Sequence, residues 1–216
     1  MKKPKVFPLF PNRRTAPASK RAQGLVELAL LLPVLILLLL GIAEYGFMLN
    51  RYLNLLDSAR EAARFGANVN PFDDSGNLDM NFFVRPDTSN PPSFPANPPG
   101  LADYTEDFMN PVVLNPALGD DIVISFFSVS GNTVVRFPDV DGWSRYGKHV
   151  SNFTNAQVAD RMEGGAPPTG VLLIEVFYNY PQVLKVPFFS QMIPDPIPVY
   201  AYAIMPLSAA EPTEIP

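Results

Sequence analysis

Hydrophobic residues are concentrated in one block near the N-terminus, over residues 25–43. The block contains a single charged residue, Glu27, and no charge occurs between Leu28 and Ala43. An apolar run of about 20 residues is long enough to cross the hydrocarbon core of a bilayer as a helix. The pattern therefore predicts a transmembrane helix near the start of the chain.

Glu44 and Tyr45 directly follow this block and predict the outer end of the span. Tyrosine is enriched at the membrane–water interface, where a carboxylate can reach water. Counting the flanking residues, we assign the span to residues 28–49, beginning at Leu28. The span also includes Pro33 and Gly41.

Glu27 is the unusual residue at the inner end of the span. A charged side chain costs roughly 2.5–3.5 kcal/mol at the centre of a bilayer and less near the interface, so such residues are commonly functional. Two interpretations remain open. Glu27 either has a specific partner or lies at headgroup level, where it is solvated.

Beyond the span, the hydrophobic positions follow the helical period of 3.6 residues. Apolar residues spaced by three and four predict one packing face, and charged residues occupy another side. Gly66 is a suitable end for this helix. The packing face needs a partner, either the β domain of the same chain or neighbouring helices. Its members are Leu49, Leu53, Leu56, Ala59 and Ala63.

After residue 120 the pattern changes to short segments rich in β-branched and aromatic residues, which predict strands. Thr154 and Gln157 form a capping-box pattern that predicts a short helix through about Met162. The many prolines confine several strands to sheet edges or short lengths. The strands are predicted at residues 122–129, 133–137, 171–180, 183–189 and 199–205.

The predicted fold class is therefore α+β, with a long N-terminal transmembrane and amphipathic helix followed by a β-rich domain. Residues 68–120 are acidic and rich in proline, which predicts long connecting loops. We divide the chain into a basic leader at residues 1–22, the helix at residues 23–67 and the β-rich domain at residues 68–216.

The distribution of charge along the chain predicts the orientation of the protein in the membrane. Seven of the sixteen basic residues precede the apolar block, and all twenty-one acidic residues occur from Glu27 onward. Positive charge stays on the cytoplasmic side, which predicts a single-pass protein of the cytoplasmic membrane with an extracytoplasmic C-terminal domain. The leader is then either a cytoplasmic tail or a segment removed on maturation. The acidic domain argues against nucleic acid as a partner.

Candidate catalytic and ligand-binding chemistry is sparse. The absence of cysteine excludes disulfides, thiolate nucleophiles and iron–sulfur ligation. Residues 142–148 fit the phosphate-loop pattern G-x-x-x-x-G-K, but His149 stands where that loop needs Ser or Thr. Residues 73–79 resemble a calcium loop only faintly, and a solvated acidic turn is favoured. The sequence predicts no catalytic residue, cofactor site or metal site, and hence no enzyme.

Three blocks of the N-terminal region carry a family resemblance. Residues 21–30 read RAQGLVELAL, residues 41–46 read GIAEYG and residues 59–64 read AREAAR. In order and spacing they closely resemble the TadE-like proteins, whose typical stretch reads R-G-Q-A-L-V-E-F-A-L-V-L-P, then G-I-x-E-F-G, then A-A-R-E-G-A-R. The resemblance covers about residues 20–66 and says little about residues 68–216.

The resemblance implies a structural minor pilin or pseudopilin that takes part in assembly, initiation or anchoring of a Tad-type pilus. Such proteins resemble type IV pilins, which a prepilin peptidase cuts so that a glutamate stands fifth in the mature chain. Counting back from Glu27 places the cut between Ala22 and Gln23, although the family usually has Gly before the cut. Glu27 would then pair with a new N-terminal ammonium during assembly.

The implied partners are other pilin or pseudopilin subunits, the Tad inner-membrane assembly platform, the prepilin peptidase and membrane lipid. The mature protein could be incorporated in an extracellular pilus. An uncleaved membrane-anchored surface or adhesion protein is the first alternative, because it would use the same helix. A membrane-tethered hydrolase is the second, but the spacing of the acidic residues singles out no catalytic pair.

Overall fold

A computed structural model describes residues 18–73, 75, 77–84, 100–130, 133–161, 169–185 and 193–207, with side chains from Gln23 onward except those of Ser130 and Thr169. Most of the predicted leader, residues 1–17, lies outside the described residues. The chain divides into two compact units, Met1–Ala43 and Glu44–Pro216.

Helix α1 (Ala18–Gly66) is 49 residues long and contains Pro33. The prediction of one long helix that ends at Gly66 is therefore confirmed. In the first unit, the described side chains of residues 23–43 are almost all exposed. A proline inside a helix removes one backbone hydrogen bond, but the rest of this segment consists mainly of leucine, a strong helix former.

The second unit contains one antiparallel sheet with the path β2-β1-β4-β5. Strand β3 also pairs with β1, next to β2 along the same edge. Pro198 and Pro206 lie in β5, an edge strand, as the proline content predicted. The strands are β1 (Asp121–Ser130), β2 (Thr133–Phe137), β3 (Trp143–Ser144), β4 (Thr169–Tyr180) and β5 (Ile197–Leu207).

The structure confirms the predicted strands at 122–129, 133–137, 171–180 and 199–205. The strand predicted at residues 183–189 is wrong where it can be compared, because residues 183–185 are not in a strand. Its remaining residues, 186–189, lie outside the described part of the chain. The backbone N–H groups of Val183 and Leu184 bond to a side chain of helix α1 instead of a neighbouring strand.

The C-terminal part of α1 belongs to the core on one face of the sheet. Alternate residues of β1 and β4, including Ile124 and Ile174, lie in the same buried cluster as Leu55 and Ala59 of the helix. The small residues of the helix permit close approach. At Gly66, an added Cβ would lie 2.7 Å from a methyl group of Leu172, so the end of the helix has no room for a side chain.

The buried face of α1 is rotated from the predicted one. Ala59 and Ala63 are fully buried and Leu56 is partly buried, but Leu49 and Leu53 are 39% and 48% exposed. The apolar residues of this part of the helix cover an arc wider than a single packing face. The sequence alone does not show which side of that arc contacts the sheet. The buried line instead follows Tyr52, Leu55, Ala59, Ala62 and Gly66.

Helix α2 (Leu101–Phe108) occurs within the region predicted as loops, residues 68–120, and corrects that prediction. Its buried residues include Leu101 and Ala102, which join the core. Arg145 beyond β3 forms ion pairs of 2.8 Å with Asp103 and Glu106 of α2. These partly buried pairs hold α2 against the loop that follows β3.

The opposite face of the sheet is covered by residues 151–161, which include helix α3 (Asn155–Ala159). Thr154 and Gln157 form the predicted capping box at its start. Phe153 and Val158 pack on Phe127 and Leu173 of the sheet. The helix ends at Ala159, before the predicted end at about Met162, because residues 160–161 form a turn; Met162 itself lies outside the described residues.

Candidate functional site

The first candidate is the exposed apolar part of α1. Its most apolar window has a mean hydropathy of 2.9, and none of that window is buried. In water such a surface would be unfavourable by about 25 cal/mol per Å² of apolar area. Among the described residues, this is the one helix whose length and composition allow it to cross a membrane. It therefore fits a membrane anchor.

Glu27 is the sole acidic residue on that apolar segment, residues 23–43. Its carboxylate is exposed, and the side-chain amide of Gln23 donates a hydrogen bond of 3.3 Å to its Oε1. The two residues are four apart, so they lie on the same side of the helix one turn from each other. Ala22 precedes them within the helix. The geometry thus places the predicted cut, between Ala22 and Gln23, one turn before Glu27.

Glu44 is bound by the protein itself, which corrects its interpretation as a residue that simply reaches water. Its Oε1 accepts hydrogen bonds of 2.8 Å from the Tyr180 hydroxyl and from the backbone N–H of Val183. Its Oε2 accepts one of 2.7 Å from the backbone N–H of Leu184. These donors are 136–140 residues away in sequence. Tyr45, by contrast, is exposed.

The contact with Glu44 also affects Tyr180. This tyrosine lies at the end of β4 and is almost fully buried. Burial raises the pKa of Tyr180, and its hydrogen bond to the Glu44 carboxylate raises the pKa further. The tyrosine therefore stays protonated and acts as a donor. Glu44, Tyr180 and the segment that follows β4 form one anchored unit, which we call the Glu44 anchor (Glu44, Tyr180, Val183 and Leu184).

The phosphate-loop-like segment is occupied by an internal carboxylate. Asp121, at the start of β1, is fully buried and accepts a hydrogen bond of 2.6 Å from the Ser144 hydroxyl. Backbone N–H groups that would face a phosphate in a nucleotide-binding loop point at this carboxylate instead. The structure thus supports the exclusion of a nucleotide site here. The donating N–H groups of the loop are those of Tyr146, Lys148 and His149, and the N–H of Ile122 in β1 also donates to Asp121.

His149 is likewise held by contacts that stabilise the fold. Its ring stacks on Phe177 with the centroids 4.2 Å apart, and its Nε2 lies 2.9 Å from the carbonyl oxygen of Gly119. No hydrogen bond joins it to a serine hydroxyl among the described residues. This arrangement does not resemble a nucleophile–base pair, which needs the two side chains within hydrogen-bond reach.

A second buried carboxylate, Glu175, lies on the sheet face away from α1. Its Oε1 accepts hydrogen bonds from the Tyr200 hydroxyl (2.6 Å) and the Asn152 N–H (2.9 Å). Burial and this hydrogen bond raise the pKa of Tyr200. Arg136 donates to the carbonyl oxygens of Val140 and Phe153, and burial lowers its pKa. The cluster attaches the covering segment to the sheet.

The acidic turn at residues 73–79 forms as an Asx turn. Asp73 Oδ1 accepts hydrogen bonds from the N–H groups of Ser75 (2.9 Å) and Asn77 (2.8 Å), and the turn is exposed. Within the described ranges, acidic and histidine side chains form no group of three suited to a metal ion.

Comparison with known proteins identifies the N-terminal region. Residues 22–64 match the model of a family described as TadE-like protein. No curated protein and no solved structure matches the chain. The match covers the three blocks that carried the resemblance except for Arg21, and it contains both Glu27 and Glu44. The chain therefore carries a TadE-like region at residues 22–64.

Proposed function

We propose that this protein is a non-enzymatic minor pilin or pseudopilin that takes part in assembly, initiation or anchoring of a Tad-type pilus. One observation carries the proposal. Within the TadE-like region, the exposed apolar segment at residues 23–43 bears a single carboxylate, Glu27, one turn after the expected processing site. The helix would be seated in the cytoplasmic membrane, with the leader in the cytoplasm and the sheet domain outside.

Processing would change the electrostatics around Glu27. Hydrolysis of the peptide bond between Ala22 and Gln23 creates an α-amino group, whose ordinary pKa of about 7.7–8.0 keeps it mostly protonated at neutral pH. A carboxylate in lipid is costly without a partner. The new ammonium, on the same helix or on a neighbouring subunit, would neutralise Glu27. Between subunits, this pairing would set the axial register of packed helices.

The remaining exposed apolar residues of α1 would serve the same assembly. Leu49 and Leu53 are directed away from the core of their own domain. Their predicted role as a packing face is therefore assigned to contact with neighbouring helices. Ala59 and Ala63 would act within the subunit, where they seat the helix on the sheet. The platform, other pilin subunits and the prepilin peptidase are the proposed protein partners.

A second candidate function is favoured by Ala22. The TadE-like pattern usually has Gly before the cut, and a peptidase that rejects alanine would leave an uncleaved membrane-anchored surface or adhesion protein. Such a protein would use the same helix only as an anchor.

The mass of the mature N-terminus tests the proposal. We expect the chain purified from membranes of a host with the Tad system to begin at Gln23, and to retain Met1 when the peptidase is absent. Ala22→Gly should increase the cleaved fraction if alanine slows the peptidase. An intact Met1 in the presence of an active peptidase would support the anchored surface protein instead.

A further inference from the structure

We infer that Val183, Leu184 and Ile193, which follow β4, form a lipid-contacting surface that rests on the extracytoplasmic face of the bilayer. We call these three residues the lipid-facing patch. The inference deepens the proposed function and rests on its membrane-seated helix. It adds a second membrane contact, made by the sheet domain itself.

The Glu44 anchor sets the depth of the lipid-facing patch relative to the bilayer. Glu44 follows Ala43, the last residue of the uncharged run, without any intervening residue. If the uncharged run, rather than the longer predicted span to residue 49, defines the part of α1 within lipid, Glu44 lies at the bilayer boundary. The Glu44 carboxylate accepts hydrogen bonds of 2.8 and 2.7 Å from the N–H groups of Val183 and Leu184. The backbone of the patch must then lie at the same boundary.

Five backbone polar groups around the patch have partners within the protein. The buried side chain of Gln182 donates to the carbonyl oxygens of Ile193 (3.4 Å) and Pro194 (3.1 Å). Its backbone N–H donates to Asp195 Oδ1 over 3.0 Å. Contact with lipid requires that backbone polar groups be satisfied internally. These bonds, with those to Glu44, satisfy the backbone N–H groups of residues 182–184 and the carbonyl oxygens of Ile193 and Pro194.

The side chains of the patch have the composition of an interfacial surface. Val183 is 59% exposed and Ile193 is 40% exposed, and Leu184 is partly exposed. The sequence of residues 181–194 contains one charge, Lys185, and no acidic residue. A lysine beside apolar residues can keep its ammonium among lipid phosphates while its stem contacts the acyl boundary. Apolar exposure with a single cation thus fits a lipid surface.

Depth-dependent fluorescence quenching tests the inference, because the chain has no cysteine and each position can be labelled singly. The full chain is reconstituted in phosphatidylcholine vesicles with an environment-sensitive dye on Val183→Cys. A matched label on Thr133→Cys lies at the start of β2, which pairs with the end of β1. This end of the sheet is opposite the end that holds Tyr180. Because β4 has twelve residues, the two ends of the sheet are roughly 35 Å apart, at about 3.3 Å per residue. A third label on Leu35→Cys reports the membrane-seated helix.

The expected result is quenching of the Val183 label by lipid brominated near the headgroup, with at least a threefold larger decrease than for the Thr133 label. The Leu35 label should be quenched best by lipid brominated near the middle of the acyl chain. Quenching at Leu35 with equal, low quenching at Val183 and Thr133 would overturn the lipid-facing patch and leave the membrane seat intact. No quenching at Leu35 would overturn the membrane seat itself.

Two further measurements distinguish lipid from a second copy of the chain at the patch and test the positioning role of Glu44. If a second copy covers the patch, the Val183 label will be shielded from an aqueous quencher in detergent as protein concentration rises, which would contradict a lipid contact. Glu44→Gln should reduce quenching at Val183 at least twofold while leaving the Leu35 label unchanged. Equal quenching in Glu44→Gln would contradict the positioning role of Glu44.

Discussion

Tyr180 donates a hydrogen bond of 2.8 Å to Glu44, which joins the end of strand β4 to a helix residue 136 positions earlier. The same carboxylate accepts two backbone N–H groups from the segment that follows β4. A carboxylate with three donors is a strong attachment, because hydrogen bonds to charged groups contribute about 1.5–3 kcal/mol each. The attachment lies where the apolar run of α1 ends.

Tyr180→Phe should weaken this attachment without leaving a cavity in the core. The phenyl ring keeps the packing, but Glu44 loses one donor. We expect the free energy of unfolding to fall by about 1.5–3 kcal/mol, measured by urea denaturation of the full chain in detergent micelles. Tyr202→Phe is the matched control on the neighbouring strand, since Tyr202 is 38% exposed, and it should change stability by less than about 1 kcal/mol. Equal effects of the two substitutions would contradict the role of the Glu44 contact.

Asp121→Asn should strongly destabilise the sheet domain. The carboxylate is fully buried and receives donors from Ile122, Ser144 and the backbone beyond β3. An asparagine amide would present N–H groups to these donors and leave some of them without an acceptor, each at a cost of about 1–3 kcal/mol. We expect a loss of at least about 3 kcal/mol, measured by urea denaturation.

The control for Asp121→Asn is Asp107→Asn, which changes an exposed aspartate at the end of α2 in the same chemical way. It should leave the denaturation midpoint nearly unchanged. A nucleotide titration adds a second measurement: the unsubstituted protein should show no saturable binding of ATP with magnesium, because Asp121 occupies the backbone donors. Saturable binding that His149→Ser strengthens would contradict this interpretation of the loop.

The extent to which the sequence predicted the structure follows from the range of each interaction. Helix α1, strand β4 and the capping box at Thr154 are encoded in local patterns of apolar residues and caps, and all were predicted. Helix α2 has only eight residues and follows a proline-rich stretch. Its helical pattern is short, and the proline-rich composition of the region therefore led to the prediction of loops. Its buried Leu101 and Ala102 pack in the core of the sheet domain, and this tertiary packing stabilises the helix.

The candidate site shows the same division. Glu27 is recognisable because a lone charge in an apolar run is unusual on local grounds. The partners of Glu44 are 136–140 residues away, and no feature of the sequence links them to it. The loop at residues 142–148 was excluded as a nucleotide site by its own residues, but its real occupant, Asp121, is more than twenty residues distant. Long-range pairing of this kind depends on the folded chain.

Alkaline pH should reveal the two tyrosines that donate to carboxylates, Tyr180 and Tyr200. Burial and carboxylate partners raise the pKa values of Tyr180 and Tyr200 in the folded protein. Their unfolded pKa is about 10, so their stabilising contribution is complete below pH about 10 and is lost as pH rises further. We expect ultraviolet absorbance titration to show delayed ionisation of these groups among the eight tyrosines. Tyr200→Phe should remove part of the delayed change, and early ionisation of all tyrosines in the folded protein would contradict the prediction.

Glu27 provides the sharpest test of pilus assembly. Glu27→Gln retains a similar size and can still bond to Gln23, but it cannot form an ion pair with an N-terminal ammonium. Loss of a charge from the apolar segment favours membrane insertion, so the amount in the membrane fraction should stay the same or rise. If the pairing sets the register between subunits, incorporation into sheared pili should fall at least about tenfold, which corresponds to about 1.4 kcal/mol per subunit.

The matched control is Glu61→Gln, an acid on the same helix that forms a partly exposed pair of 3.0 Å with Arg64. Exposed pairs of this kind contribute about 0–1 kcal/mol, so both the membrane fraction and the pilus fraction should change little. Immunoblots of the two fractions, with the N-terminal mass of each variant, separate failed assembly from failed processing. A Glu27→Gln protein that is cut at Gln23 but absent from pili would assign the charge to assembly. Unchanged incorporation of Glu27→Gln would show that the carboxylate has no part in packing the helices, and the anchored surface protein would then be the better description of this chain.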